Sequence, residues 1–158
     1  MRIRNKPLIL GCGNIFRGDD GFGPKVVEYI IKEHLVSEEE VEVLDVGLGI
    51  SQVLLNILSE EEKPTKLILV DALQQKGTIG EVKVLGVQDV PDHRSVSPSH
   101  TFPNRDMLAQ LEAMGVKIYI VACIVGYLPN EVCTEMSNEV VESIPKAAAL
   151  AARLALDP

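Results

Sequence analysis

Short runs of consecutive apolar residues alternate along this chain with segments whose apolar residues recur every three or four positions. The first pattern predicts strands buried on both faces, the second amphipathic helices. Pro7 to Gly11 reads as a buried strand, and Gly23 to about Leu35 as a helix with Val26, Val27, Ile30 and Ile31 on its core face and Pro24 in its first turn. Val41 to Val46 is a second strand, ending at Gly47-Leu48-Gly49, after which Ser51 is placed to cap a helix through about Ser59. Lys66 to Ala72 has the continuous apolar character of a central parallel strand, with Asp71 near its carboxyl end. Gly80 to Leu85 alternates and predicts an antiparallel or edge strand. A polar loop from Gln88 to Phe102 precedes a helix capped by Thr101 or Asn104 and running to Met114. Val116 to Ile124 is a further buried strand. Glu135 to about Leu156 closes the chain as a helix interrupted near Pro145, its Ala147–Ala152 stretch suited to close packing.

That order predicts a three-layer α/β/α architecture: a twisted, mostly parallel five-stranded sheet with helices on both faces. The 158 residues fit one domain, 1–158, with no internal repeat. Lys and Arg number 15 against 23 Asp and Glu, a net charge of −8 without a basic cluster, which excludes a nucleic-acid partner. No apolar run approaches the ~20 residues that span a bilayer, and Met1-Arg2-Ile3-Arg4 leads directly into a strand rather than a signal segment. The expectation is a soluble cytoplasmic protein with no membrane partner. Cys12, Cys123 and Cys133 show no C-x-x-C spacing, and their odd count argues for buried or half-buried free thiols.

Chemistry concentrates where the first strand enters the turn Gly11-Cys12-Gly13-Asn14-Ile15-Phe16-Arg17-Gly18-Asp19-Asp20-Gly21. Open α/β sheets bind ligands outside the carboxyl ends of their strands, so this turn lies where a site is expected. It is not a dinucleotide loop. The G-x-G-x-x-G spacing needs glycine at position 16, where this chain has Phe16, and Asp19 and Asp20 would repel a pyrophosphate. Paired carboxylates invite a cation instead. Asp20, Asp71 and His100 come from three connections able to converge on one face. Each also has a plain structural explanation: a helix cap, a loop anchor and an exposed loop histidine. Cys12 acting as a nucleophile with His100 as its base is a further alternative, although no cysteine-hydrolase signature surrounds it. H-E-x-x-H, G-x-S-x-G and a serine triad signature are absent from the sequence. A histidine beside the two acids favours metal over a proton-sharing aspartic dyad, and one histidine with two carboxylates reverses the usual iron-oxygenase set.

Gly11-Cys12-Gly13-Asn14 with Gly18-Asp19-Asp20-Gly21-x-Gly23, then Leu69-Val70-Asp71-Ala72 and Ser99-His100, resembles the nickel-iron hydrogenase maturation endopeptidases over essentially the whole chain. The resemblance implies metal ligation by Asp20, Asp71 and His100, with Asp19 a neighbour rather than a ligand. His93 competes with His100, and Ser99-His100 followed by Pro103 favours the latter. The family's Asp-Gly-Gly-like segment corresponds to Asp45-Val46-Gly47, where Val46 replaces the first glycine, so that Asp45 has a turn-forming role as its alternative. What the resemblance further implies is an aspartyl-protease-like, metal-dependent hydrolase. It would remove a C-terminal extension from the precursor of a hydrogenase large subunit, with nickel supplied mainly by that precursor and other divalent ions able to occupy the same site. Two alternatives stand beside it: a nickel-sensing, non-catalytic maturation chaperone, and a nucleotide-binding oxidoreductase.

Overall fold

A computed structural model describes residues 5–91 and 102–158. Five strands, β1 (Leu8–Cys12), β2 (Glu42–Gly47), β3 (Lys66–Leu73), β4 (Val82–Leu85) and β5 (Lys117–Ile124), form one sheet in the order β2-β1-β3-β5-β4. All pairs are parallel except β4 with β5, so the alternating segment is the antiparallel edge strand its pattern predicts. Four helices cover the sheet: α1 (Phe22–Lys32), α2 (Ile50–Ser59), α3 (Arg105–Ala113) and α4 (Asn138–Leu156). The architecture is the predicted three-layer α/β/α.

Strand alternation divides the core in two. Leu8, Leu10, Leu67 and Leu69 pack with Leu54 and Leu108 under α2 and α3. Ile9, Ile68 and Val70 pack with Val26 and Ile30 of α1 and Ala147, Ala148 and Ala151 of α4 on the other face. The small alanine side chains let α4 lie close, as their clustering predicts, although Ala149 points to solvent.

Several local expectations change. The helix Gly23 to Leu35 shortens to Phe22–Lys32, and Ile31 is turned outward at 54% exposure, while Ile30 is buried. Four apolar positions within six residues span more of the helix than the buried face can take. Ser51 does not cap α2. Gly49 holds the N-cap, without a side-chain bond, its carbonyl accepting from Val53 N–H at 3.1 Å. Asn104 caps α3, its Oδ1 accepting from Met107 N–H at 3.1 Å, while Thr101 lies outside the described residues. α4 starts at Asn138 rather than Glu135 and continues through Pro145. The carbonyl that Pro145 deprives of a donor belongs to Val141, on the solvent side of the helix, where water can replace the bond.

The closest backbone approach joins β1 to the start of α1. A Cβ on Gly23 would lie 2.2 Å from Cys12 O and 2.4 Å from Val70 O, and one on Gly11 would lie 2.6 Å from Gly23 O. The tight strand-to-helix contact that a dinucleotide fingerprint assigns to its third glycine is therefore made by Gly23, and position 16 is free to carry Phe16, exposed to solvent. Gly23→Ala should lower stability by about 1–3 kcal/mol through overpacking alone. Urea unfolding would show this as a lower midpoint with an unchanged slope.

Candidate active site

The first turn folds back over the carboxyl ends of β1 and β3. It contains a 3-10 turn, Gly18–Gly21, whose four residues are all buried. Asn14 N–H donates to Asp20 Oδ2 at 2.9 Å, so Asp20 closes the turn on itself and does not cap α1, whose N-cap is Gly21 without a side-chain bond. Asp71 lies on β3, fully buried, on the face shared by Leu67, Leu69 and Leu73. Its Oδ1 accepts the N–H of Ala72 at 2.8 Å, and its Oδ2 is buried without a hydrogen-bond partner among the described residues. The β1–β3 register pairs Gly11 with Val70, which sets Cys12 beside Asp71.

These groups sense one another. Burial pushes the Asp71 carboxyl well above the ordinary carboxylate range, and the nearby charge of Asp20 adds to the rise; the Ala72 N–H opposes it. Burial likewise pushes the Cys12 thiol well up, with Asp71, Asp45 and Asp20 each raising it further. A thiol held protonated in an acidic, fully buried position is the reverse of an activated nucleophile, so the structure argues against Cys12 as the attacking group.

The charge of Asp20 acts on the Asp71 carboxyl across the sheet edge. His100, and its competitor His93, lie outside the described residues. Val90 and Phe102, which flank that segment, both pack on the layer from which Cys12 and Asp71 project. Among the described residues no group of three or more histidine, cysteine or acidic side chains is arranged to hold a metal ion. Asp45 is exposed, and its Oδ1 accepts Gly47 N–H at 2.9 Å, the turn-forming role given as its alternative. The cause is a bulge. β1 pairs Gly11 with Asp45 but Cys12 with Gly47, so Val46 is the extra residue, and Gly13 N–H then reaches Gly47 O at 2.9 Å.

Sequence reading gave Asp19 no task, yet its carboxylate is fully buried and accepts four hydrogen bonds. Oδ2 takes Gly126 N–H at 3.2 Å, Tyr127 N–H at 2.9 Å and Ser137 Oγ at 2.7 Å, while Oδ1 takes Ser137 N–H at 2.6 Å. The partners stand more than a hundred residues away, so no local motif announces the contact.

The profile of HycI, hydrogenase maturation protease, matches residues 24–154. A Methanocaldococcus jannaschii protein assigned as a hydrogenase maturation protease is 32% identical over 142 residues, spanning 89% of this chain and 90% of its own length. The coenzyme F420 hydrogenase subunit delta of Methanothermobacter thermautotrophicus is 30% identical over 148 residues, 89% of this chain and 88% of that one. Among solved structures, the nickel-iron hydrogenase maturation protease HycI of Thermococcus kodakarensis KOD1 superposes with a TM-score of 0.71 at 24% identity, over 98% of this chain and 94% of that one. The hydrogenase maturating endopeptidase HybD of E. coli gives 0.70 at 23% identity, over 92% and 88%. Both structures share the fold. The class defined is a peptide-cutting hydrolase built on an α/β/α sheet. More narrowly, the chain belongs to the hydrogenase maturation protease family, and its enzymatic type is endopeptidase. The nucleotide-binding oxidoreductase is thereby set aside.

The buried Asp71 has a consequence for stability. Between the ordinary carboxylate range and its raised native value, the folded state holds more protons than the unfolded one, so stability falls as pH rises through that window. Asp71→Asn should therefore melt higher than the parent above the window, with the difference closing toward acid. Thermal melts from pH 4 to pH 9, spaced by about one unit, would show the two curves converging at the acid end; parallel curves would remove the buried charge as their cause.

Proposed function

We propose that this chain removes a C-terminal extension from the precursor of a nickel-iron hydrogenase large subunit, and that nickel already lodged in the precursor is part of the substrate it recognises. The observation that carries the reading is the Asp71 carboxylate: wholly buried at the carboxyl edge of the sheet, within reach of the Asp20 charge, with one oxygen unpartnered among the described residues. An orphaned buried carboxylate is costly, and a cation arriving with the substrate would offset that cost. The donor set fits. Two carboxylates and an imidazole suit a borderline divalent ion and leave coordination positions for the precursor's own groups or water.

In this reading Asp20, Asp71 and His100 are the residues that meet the ion. A divalent ion bound there supplies Lewis-acid polarisation of the scissile carbonyl or of a water molecule. The protein's own part is positional. The Asn14 N–H holds Asp20 Oδ2, the Ala72 N–H holds Asp71 Oδ1, and the free oxygen of Asp71 remains available to a ligand. Whichever acid is less engaged is placed to accept the proton of an attacking water. The free thiols Cys12, Cys123 and Cys133 support a reducing, cytoplasmic setting, and among the described residues no helix is long and apolar enough to cross a membrane.

Metal-stripped protein should shorten a nickel-loaded precursor and leave the unloaded precursor at full mass, since an incomplete site on the enzyme leaves retention of the ion to the precursor. Intact-mass spectrometry of both incubations checks this. Equal cutting of the unloaded form without added nickel would overturn nickel as part of the substrate. Binding of the loaded form with no change of mass would instead make the chain a nickel-sensing chaperone. Asp20→Asn and His100→Ala should each abolish the mass change while melting near the parent's temperature, because rim side chains serve the ligand more than the core.

A further inference from the structure

The β5–α4 connection, residues 126–137, is strapped across the first turn by contacts that all fall within four residues of that turn. Cys133 N–H donates to Phe16 O at 2.8 Å, Gly18 N–H to Cys133 O at 2.9 Å, and Asp19 N–H to Tyr127 O at 2.9 Å. Arg17 Nε donates to Pro129 O at 3.3 Å. The strap lies so close that a Cβ on Gly18, where φ is +54°, would stand 2.6 Å from Tyr127 O. The Asp19 side chain completes the seam with its four bonds to Gly126, Tyr127 and Ser137. Asp20 follows directly in the chain, and its own carboxylate is held from the opposite side by Asn14 N–H.

Two neighbouring acids thus point to different partners. Asp19 is spent on the strap, while Asp20 Oδ2 takes the Asn14 N–H in the same turn that packs on β3, the strand carrying Asp71. We infer that Asp19 is a positioning residue for the reaction: through its bonds to Gly126, Tyr127 and Ser137 it fixes the 3-10 turn against the β5–α4 strap and so sets where the Asp20 carboxylate stands relative to Asp71. The peptide link between the two acids makes the transmission direct. A charged acceptor with four donors is the strongest tether in the turn, since hydrogen bonds to ionised groups exceed neutral ones. Losing it lets the 3-10 turn shift against the strap, and a displacement of about 1 Å at a reacting group can cost about 100-fold in rate. The strap also carries exposed Tyr127 and Val132 beside the turn, so whatever fixes the seam fixes this apolar surface and the acid together. The catalytic part of the inference rests on the peptide-cutting reading above; the geometric part does not.

The test pairs a resonance with a rate. The amide proton of Asn14 reports the position of Asp20, because it donates to Asp20 Oδ2 and touches neither Asp19 nor the strap's bonds to it. Asp19→Asn places an N–H₂ where an oxygen now meets donors, and Ser137→Ala removes the hydroxyl bond alone. Ile30→Val, in the core between α1 and the sheet, serves as a stability control expected to leave both readouts unchanged. In Asp19→Asn the Asn14 amide shift should move and its exchange with solvent should quicken. Single-turnover cleavage of the loaded precursor, measured well below the melting temperature, should fall about 100-fold. Ser137→Ala should move both readouts in the same direction by less, and it decides the matter if Asp19→Asn does not fold. An unmoved Asn14 amide overturns the inference, as does an unchanged rate in a protein whose parent cuts. If the parent does not cut, the proposed reaction fails, and the Asn14 amide alone decides whether Asp19 places Asp20.

Discussion

The site depends on the backbone contact between Gly11 on β1 and Gly23 at the head of α1. With no Cβ on either residue, the helix begins almost against the strand it has just left, within reach of Cys12 O and Val70 O. The chain has only the ten residues between Cys12 and Gly23 in which to turn, so those residues must fold over the strand ends rather than extend into solvent. That brings Asp19 and Asp20 under cover, where ordinary acidic turn residues would be solvated. Burial of two successive carboxylates follows from the packing of two glycines.

Burying an acid without compensation is unfavourable, and the three acids buried among the described residues are treated in three ways. Asp19 receives four donors from distant backbone and Ser137, which makes it an anchor. Asp20 retains slight exposure and takes the Asn14 N–H. Asp71 has a single N–H on one oxygen and, among the described residues, nothing on the other, so burial and the Asp20 charge hold its proton affinity high. The contrast within one turn and one strand end shows that donors were available in this fold and were directed to Asp19. Leaving the Asp71 Oδ2 without a donor costs stability, and that oxygen is the one the proposed substrate-borne ion would satisfy.

The architecture was legible because its signals are local. The apolar run Lys66 to Ala72 requires burial on both faces, and the alternation of Gly80 to Leu85 requires one open face; together with the helical periods between strands they leave few topologies. Asp20 and Asp71 stood out for a related reason, one lying in the turn that follows an unmistakable strand and the other near the carboxyl end of one. What the sequence concealed is non-local. Ser51 looks like a cap, but the chain enters α2 two residues earlier, at Gly49. Pro145 looks like a helix break, but its vacated carbonyl faces water. Asp19 looks like a spare acid because its partners Gly126, Tyr127 and Ser137 become neighbours only once β5 has been threaded into the sheet. His100 falls outside the described residues, so its place rests on the motif alone.

Val46 illustrates how a departure from a family pattern can be absorbed by geometry. The expected glycine pair after Asp45 is interrupted, yet the inserted residue is taken up as a bulge, and Gly47 reaches the register position beside Cys12. Asp45 is thereby bound to its own turn through Gly47 N–H, while its charge still reaches Cys12. The first turn is then held from both flanks: Gly13 N–H on Gly47 O toward β2, and Asp19 on the strap toward α4. A turn fastened on two sides over a sheet edge does not need to be ordered when substrate arrives, so less of the binding energy is spent on arranging the protein and more is left for the reacting groups. Among the described residues the Asp71 Oδ2 is the part left unsatisfied, and the scaffold around it is the part already complete.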